Sequence, residues 1–304
     1  MKKISLFAMV LAVACLFAAC TKEGVYTPKE KISKVYESSS TTYSGGDYSN
    51  TETTAKHMTE SWTWDGKLIS SITTYDNDGG IDGLTTFTYD GKQLTEIKQG
   101  TNVSKLTYDG SKLQKIESYD GNELVSTATV THDGKKIVKL EIESYDNGEK
   151  DAKAIAFMQT MMKVVMPVYT DNTAKMLSTV ATKGSSKYTI DIEWDGKNVS
   201  KVNMVYGDES ATLTYTYDEM NNPYQGFLYA IADPAEYGSK NNVVSETVTA
   251  VYDGEPTSYT TSYTYEYDGK WPTTKTSTSS DSYDILGTTY TYSHTEVTYF
   301  EYAD

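Results

Sequence analysis

The sequence predicts an all-β protein, built as an antiparallel up-and-down meander with a small helical insertion. Turn signals return every nine to fourteen residues from Glu60 to Tyr145, which is the spacing of short strands joined by tight turns. Many of these turns contain Asp-Gly, a strong signal for a two-residue hairpin. No proline occurs from residue 29 to residue 166, as expected of central strands whose amide groups are hydrogen-bonded.

One hairpin unit recurs along the chain: an aromatic residue, Asp-Gly, usually Lys, and then an apolar strand. A two-residue turn at Asp-Gly places the apolar residues before and after it opposite each other on one face. The expected pairs are Trp62 with Ile69, Phe87 with Leu94, Leu106 with Leu113, Val130 with Ile137, and Ile192 with Val199. Such repetition specifies a scaffold and indicates no chemistry by itself.

The spacing within the second strand of each unit does not fit a simple pleat. Leu94 and Ile97 differ by three positions, so in a regular strand they point to opposite faces. Two explanations are open. Either a β-bulge intervenes, or both faces of the sheet are covered.

Helical signals are concentrated in one stretch, at about 151–184. Ile155, Met158, Met162 and Val165 follow a helical stripe that ends at Pro167. A second helix is predicted to end near Gly184. We expect a helical hairpin that lies against a curved sheet or plugs it.

The N-terminus predicts export and a lipid anchor. Residues 1–19 combine two lysines with a short apolar run, which is typical of a signal peptide. The segment resembles bacterial lipoprotein signal peptides, and this implies that Cys20 is lipidated. Thr21 after the cysteine implies the outer membrane, facing either the periplasm or the outside, and residues 20–30 form the expected tether. Ordinary secretion with cleavage near Ala19 is the alternative.

Charge and cysteine content restrict the partners. Removal of residues 1–19 takes away Lys2 and Lys3, so the net charge falls from −15 to about −17. Such a chain repels nucleic acid and anionic lipid headgroups. Cys15 leaves with the signal, so the mature chain keeps Cys20 and forms no internal disulfide.

Several segments carry a family resemblance. They are the Asp-Gly-Lys hairpins, 222–224, 239–243 and 265–273. Together with the lipoprotein signal they resemble a family of secreted bacterial lipoproteins, a domain of unknown function with a porin-like fold, and distantly resemble YD-type repeats. The resemblance implies one domain over 31–304, a porin-like soluble barrel, closed or partly open. A membrane-spanning barrel fits less well, because strands such as 112–118 are polar on both faces.

Motifs for catalysis or metal binding are weak. His57, His132 and His294 lie far apart in the sequence and are expected to be structural or solvated rather than catalytic. The stretch 76–82 fits a calcium-loop pattern, but a solvated turn is the preferred interpretation because no glutamate stands at the twelfth position. We therefore expect no catalytic residue, no metal site and no cofactor.

Tyrosine stripes are the best functional lead. The chain has 27 Tyr, and Tyr263 and Tyr265 belong to a period-two stripe in a late strand. Tyrosine suits stacking on sugars, and it also suits packing in a half-buried sheet. The sequence thus favours a non-enzymatic lipoprotein that binds a glycan or another extracytoplasmic ligand. The alternative is a structural or partner-binding envelope protein without a small-molecule site.

Overall fold

The chain folds into a closed antiparallel barrel. The computed structural model describes residues 23–46, 48–145, 187–206, 209–227, 233–252, 255–285 and 288–303, and these form sixteen strands and one short helix. Each strand pairs with the next in sequence, and β1 pairs with β16 to close the barrel. The strands are β1 (Ile32–Gly45), β2 (Tyr48–Asp65), β3 (Leu68–Tyr75), β4 (Ile81–Asp90), β5 (Gln93–Gln99), β6 (Asn102–Asp109), β7 (Lys112–Asp120), β8 (Glu123–Asp133), β9 (Lys136–Ser144), β10 (Lys187–Asp195), β11 (Asn198–Tyr206), β12 (Glu209–Tyr217), β13 (Val243–Tyr252), β14 (Glu255–Asp268), β15 (Trp271–Ile285) and β16 (Thr288–Tyr302), with helix α1 (Pro234–Gly238) before β13.

The predicted fold class is confirmed, and the sheet closes rather than staying open. The polar tract 38–54 forms the hairpin of β1 and β2. The helical insertion predicted at 151–184, the signal peptide and Cys20 lie outside the described residues. In the described part of the chain, no helix is long and apolar enough to span a membrane.

The cross-strand partners predicted for the repeated hairpins are wrong by three residues. The turn residues of the hairpin of β4 and β5 are Gly91 and Lys92, so that Asp90 pairs with Gln93 and Tyr89 with Leu94. Phe87 pairs with Ile97 instead of Leu94. The other four hairpins shift in the same way: Trp62 pairs with Ile72, Leu106 with Ile116, Val130 with Leu140, and Ile192 with Val202.

A β-bulge resolves the three-residue spacing. In the hairpin of β4 and β5 the register shifts between Thr88 and Tyr89, which turns Leu94 and Ile97 toward the same face. Both are buried in the barrel interior. The corresponding shift recurs in the other hairpins of this type, so of the two explanations the bulge is the one that the structure supports.

The two ends of the barrel differ. The Asp-Gly turns after β2, β4, β6, β8, β10 and β14 lie at one end, which we call the turn end, whereas the Asp120-Gly121 turn between β7 and β8 lies at the other. The opposite end, which we call the far end, has an uneven rim because β1, β2, β14, β15 and β16 have 14 to 18 residues each, whereas β3 to β13 have 7 to 11. The long strands form a wall that extends beyond the short ones at the far end.

The turn half of the interior is filled by the core. Inward side chains of the strands meet two segments that enter from the turn end, namely residues 23–31 and the described parts of the connection between β12 and β13, 218–227 and 233–242. Tyr26, Phe227 and Tyr237 are buried there, and the ring of Phe227 lies 5.2 Å from that of Trp62. These described parts of the connection thus fill the turn half, and we call them the plug.

Candidate functional site

Aromatic residues clamp the hairpins together at the turn end. In each case an aromatic side chain near the turn-end terminus of a strand, just before Asp-Gly in three of the five, points inward and donates a hydrogen bond to a backbone carbonyl near the start of the preceding strand. Trp64 bonds to Ile32, Tyr108 to Leu94, Trp194 to Ile137, Tyr217 to Val199, and Tyr302 to Pro272. We call this hydrogen bond from an aromatic side chain the clamp. No turn connects neighbouring hairpins at this end, so the clamp is what joins them here.

The N-terminal segment replaces one of these clamps. His132 occupies the aromatic position of its hairpin, and its Nε2 lies 2.9 Å from Oε2 of Glu23. The same oxygen accepts a hydrogen bond from the amide of Leu113 at 2.6 Å. Glu23 therefore bridges two hairpins, and it fixes the start of the described chain to the turn end.

Beyond the apolar core, toward the far end, the inner wall becomes polar. Several buried side-chain oxygens there have no hydrogen-bond partner within the described chain. They belong to Glu296 and Thr298 on β16, Glu37 on β1, Glu60 on β2, Thr74 on β3, Thr85 on β4 and Gln99 on β5. Because these strands are consecutive around the barrel, the oxygens form one continuous set, which we call the polar arc.

The polar arc presents hydrogen-bond acceptors in a half-enclosed interior. Buried polar atoms are normally paired, and leaving one unpaired costs about 1–3 kcal/mol. Thr85 and Thr298 are almost completely buried, with exposed fractions of 0% and 1%. A run of unsatisfied groups on six neighbouring strands is therefore a candidate binding surface, and the arrangement suits a ligand rich in hydroxyl or amine donors.

A buried lysine adjoins the polar arc. Lys275 on β15 is 3% exposed, and its Nζ lies 3.0 Å from both carboxylate oxygens of Glu236 on α1. The ammonium also lies 4.8 Å from the centre of the Tyr263 ring. Asp233 caps α1 by accepting hydrogen bonds from the amides of Ala235 and Glu236. The ion pair therefore fastens the plug to the barrel wall.

Burial shifts the protonation of the interior carboxyl groups. Desolvation raises the pKa of Glu60 to about 8, although the hydrogen bond from Trp62 opposes the rise. The pKa of Glu37 is raised further by burial and then by the nearby charges of Glu296 and Glu60. Desolvation also raises the pKa of Glu246 to about 8. These groups therefore favour the neutral form at neutral pH.

Tyr263 and Tyr265, the residues that the sequence singled out, both face the interior rather than an exposed cleft. The hydroxyl of Tyr265 donates to the carbonyl of Val243 at 2.8 Å, and its ring stacks on Tyr267. It therefore acts as a clamp like those at the turn end. Tyr263 lies one step closer to the far end, opposite Ser277, and borders the polar half of the interior.

The histidines and the 76–82 loop do not meet at one site. His57 and His294 lie on β2 and β16, whereas His132 belongs to the turn end. In the loop, Oδ1 of Asp76 accepts hydrogen bonds from the amides of Asp78 and Gly80, which is how a short turn satisfies its own backbone. Within the described residues, no group of three or more acidic, histidine or cysteine side chains is arranged to hold a metal ion.

Sequence reasoning missed the acidic members of the polar arc. Glu60 stands two residues before the buried Trp62, so period-two alternation in β2 already places it on the inner face. Glu37 likewise follows the buried Val35 by two residues. A charged residue at an inward position was the available signal, but it is informative only when the inner face is known.

Comparisons with known proteins give a fold likeness. No family model matches the chain, and neither does any curated protein. The chain is similar to the crystal structure of a porin-like protein from Bacteroides uniformis, with 12% identity over 90% of this chain and 98% of that chain and a TM-score of 0.48. It is also similar to a porin-like protein from Bacteroides vulgatus, with 12% identity over 90% and 99% of the two chains and a TM-score of 0.45. Membership of the lipoprotein family and the likeness to YD-type repeats stay predictions.

Proposed function

We propose that the protein is a non-enzymatic binding protein of the bacterial outer membrane, which holds a glycan or another extracytoplasmic ligand in the polar half of its barrel. The observation that carries this proposal is the polar arc, because its unpaired oxygens lie on six consecutive strands. Sugar hydroxyls would supply the missing hydrogen bonds. Tyr263 borders the same space and offers an aromatic face for stacking.

A lipid anchor at Cys20 would orient the barrel. Glu23 is fixed at the turn end through His132 and Leu113, and three residues of extended chain span about 10 Å. The turn end would then face the membrane, and the polar half would open away from it. The outer wall supports a position outside the hydrocarbon layer, because it carries ion pairs such as Lys139 with Glu141 and Lys201 with Glu193.

Fluorescence quenching in vesicles tests this orientation. Single cysteines are introduced at the turn end by Lys92→Cys and at the far end by Ser49→Cys, each in lipidated protein, and labelled with one dye. We expect lipids that carry a quencher to quench the Lys92→Cys label more strongly. Equal or reversed quenching would contradict the orientation.

The binding test uses intrinsic fluorescence of residues 21–304 with a panel of host and plant glycans, with and without calcium. Trp62 donates to Oε2 of Glu60 at 2.6 Å, so a ligand that engages Glu60 changes the surroundings of this indole. We expect a saturable change that Tyr263→Ala weakens and Tyr119→Ala, on the outer wall, leaves intact. A flat response to every glycan would reject glycan binding.

A structural or partner-binding role is the second candidate. The filled turn half of the barrel favours it, since Tyr224, Phe227 and Tyr237 occupy space that a ligand would otherwise use. This role predicts envelope proteins that co-purify with the native lipoprotein and no saturable response to small ligands. Purification from membranes with and without chemical cross-linking distinguishes the two candidates.

A further inference from the structure

Three carboxyl groups of the polar arc lie on three adjacent strands. Glu37 on β1 stands directly opposite Thr298 on β16, and Glu296 is the diagonal neighbour two residues away on the same face. On the other side, Glu60 of β2 pairs with Val35, again two residues from Glu37. Diagonal neighbours in a sheet are about 7–8 Å apart at their backbones, so these glutamate side chains line one patch of the inner wall.

Each of these glutamates keeps one buried oxygen without a partner. The atoms are Oε1 of Glu37, Oε1 of Glu60 and Oε1 of Glu296. Thr298 pairs with Glu37 of β1 on one side and with Lys275 of β15 on the other. Its hydroxyl is buried and unpaired as well. Since that side chain is 1% exposed, it is an independent sign that the wall is built to receive a donor here.

No lysine ammonium in the described chain forms a hydrogen bond with these three oxygens. Lys275 is the one buried lysine among the described residues, and its ammonium is bound by Glu236. Glu296 retains 20% exposure of its side chain, so the group can be reached from the far end. The three glutamates therefore form a reachable acidic patch, beside which the His294 ring lies with its Nε2 4.0 Å from Oε2 of Glu296.

The spacing favours an ammonium group over a metal ion. A divalent metal needs oxygens within about 2.0–2.6 Å of one point, and the described residues contain no such cluster. An ammonium group donates three hydrogen bonds, each with an N···O distance of about 2.7–2.9 Å. Because these hydrogen bonds are longer than metal–oxygen bonds, acceptors on three different strands suit an ammonium group better than a metal ion.

We propose that Glu37, Glu60 and Glu296 form a binding site for a primary ammonium group, carried by an amino sugar with a free amine. This proposal rests on the proposed function and names the substrate class of the same interior. Thr298 would accept one further hydrogen bond from the ligand. Neutral parts of the sugar would lie along Thr74, Thr85 and Gln99 of the polar arc.

Ammonium binding carries a proton signature. Burial raises the pKa of Glu37 and of Glu60, so in the free protein these groups hold their protons at neutral pH. The groups that face Glu37 are Glu296 from β16, Lys275 from β15, and Glu60 and His57 from β2. A bound cation favours the ionised carboxylates, and protons are therefore released on binding.

Calorimetry with matched ligands tests the proposal. Residues 21–304 are titrated with glucosamine oligomers, with N-acetylglucosamine oligomers of the same length, and with spermidine, each in two buffers of different ionisation enthalpy. We expect the free-amine oligomers to bind most tightly and to release at least one proton at pH 7. Glu37→Gln and Glu296→Gln each weaken this binding by about 30-fold or more. Glu301→Gln is the control: Glu301 lies on β16, like Glu296, but pairs with Lys34 of β1 on the outer wall, and its loss leaves binding unchanged.

The remaining outcomes separate this proposal from the proposed function. Equal binding of acetylated and free-amine oligomers without proton release overturns the ammonium site and leaves the glycan-binding function in place. Binding of spermidine alone, lost in Glu37→Gln, supports the ammonium site and rejects the glycan. Binding that is unaffected by Glu37→Gln and Glu296→Gln overturns the ammonium site, and no binding of any ligand overturns both.

Discussion

Trp64 and Ile32 are joined by a hydrogen bond from the indole Nε1 to the backbone carbonyl, at 2.7 Å. The bond links the hairpin of β2 and β3 to the start of β1. The same relationship joins Tyr108 to Leu94 and Trp194 to Ile137. The repeated unit is therefore a turn combined with a clamp, and this explains why an aromatic residue precedes Asp-Gly.

The clamp predicts a stability loss on removal of a single hydroxyl group. Tyr108→Phe deletes the donor to Leu94 and leaves that carbonyl unpaired, so we expect the free energy of unfolding to fall by about 1–2 kcal/mol. Tyr119→Phe is the control, since Tyr119 lies on the outer wall beneath Lys105. Urea unfolding measures both variants. Equal midpoints for Tyr108→Phe and the parent protein would contradict the clamp.

The fold could be predicted from the sequence because its signals are local. Asp-Gly turns and alternating strands are visible within a dozen residues, and they were sufficient for an antiparallel meander. The register was missed because the turn residues are Gly91 and Lys92 and because a bulge follows between Thr88 and Tyr89. The plug was missed for the same reason, since nothing near Phe227 in the sequence shows that it packs against Trp62 and Phe87.

The N-terminal segment is predicted to depend on Glu23. Glu23→Ala leaves the amide of Leu113 and the ring of His132 without their shared partner, and we expect a loss of about 1–3 kcal/mol. Hydrogen exchange should show faster exchange at the amides of Leu113 and Leu94, the latter bonded to Gly24. Lys29→Ala, an exposed change in the same segment, serves as the control. Unchanged protection in Glu23→Ala would show that the segment is held by other contacts.

The ion pair between Lys275 and Glu236 predicts a non-additive mutant cycle. Lys275→Met leaves Glu236 and the neighbouring acidic groups without their cation, and we expect a loss of about 3 kcal/mol. The double variant with Glu236→Gln removes the stranded charge and should recover part of that loss. Thermal unfolding of the parent, both single variants and the double variant measures the coupling. Additive losses would mean that the pair does not hold the plug.

The candidate site could be predicted less well than the fold. Tyr263 was found because tyrosines in alternation are conspicuous, and it does border the polar half of the barrel. Glu37 and Glu60 gave no comparable signal among the 42 acidic residues. Their significance lies in burial and missing partners, which depend on barrel closure and on the neighbours that closure brings together.

The buried carboxyl groups predict that stability falls as pH rises. Desolvation raises the pKa of Glu60 to about 8 and raises that of Glu246 as well. Between about pH 5 and pH 8 the unfolded chain has lost these protons while the folded protein retains them. The folded state therefore binds more protons in this window, and its stability decreases with increasing pH by about 1.4 kcal/mol per unit for each such group.

Glu60→Gln isolates one of these contributions. The amide keeps the shape of the side chain and an acceptor for Trp62 but cannot ionise, so we expect little change in melting temperature at pH 5 and a higher melting temperature than the parent protein at pH 8. Glu117→Gln, on the outer wall beside Lys115, controls for the loss of a negative charge. Scanning calorimetry from pH 5 to pH 8 measures the slopes. Parallel slopes for Glu60→Gln and the parent would show that Glu60 ionises freely in the folded barrel, and would remove the electrostatic basis for proton release at this site.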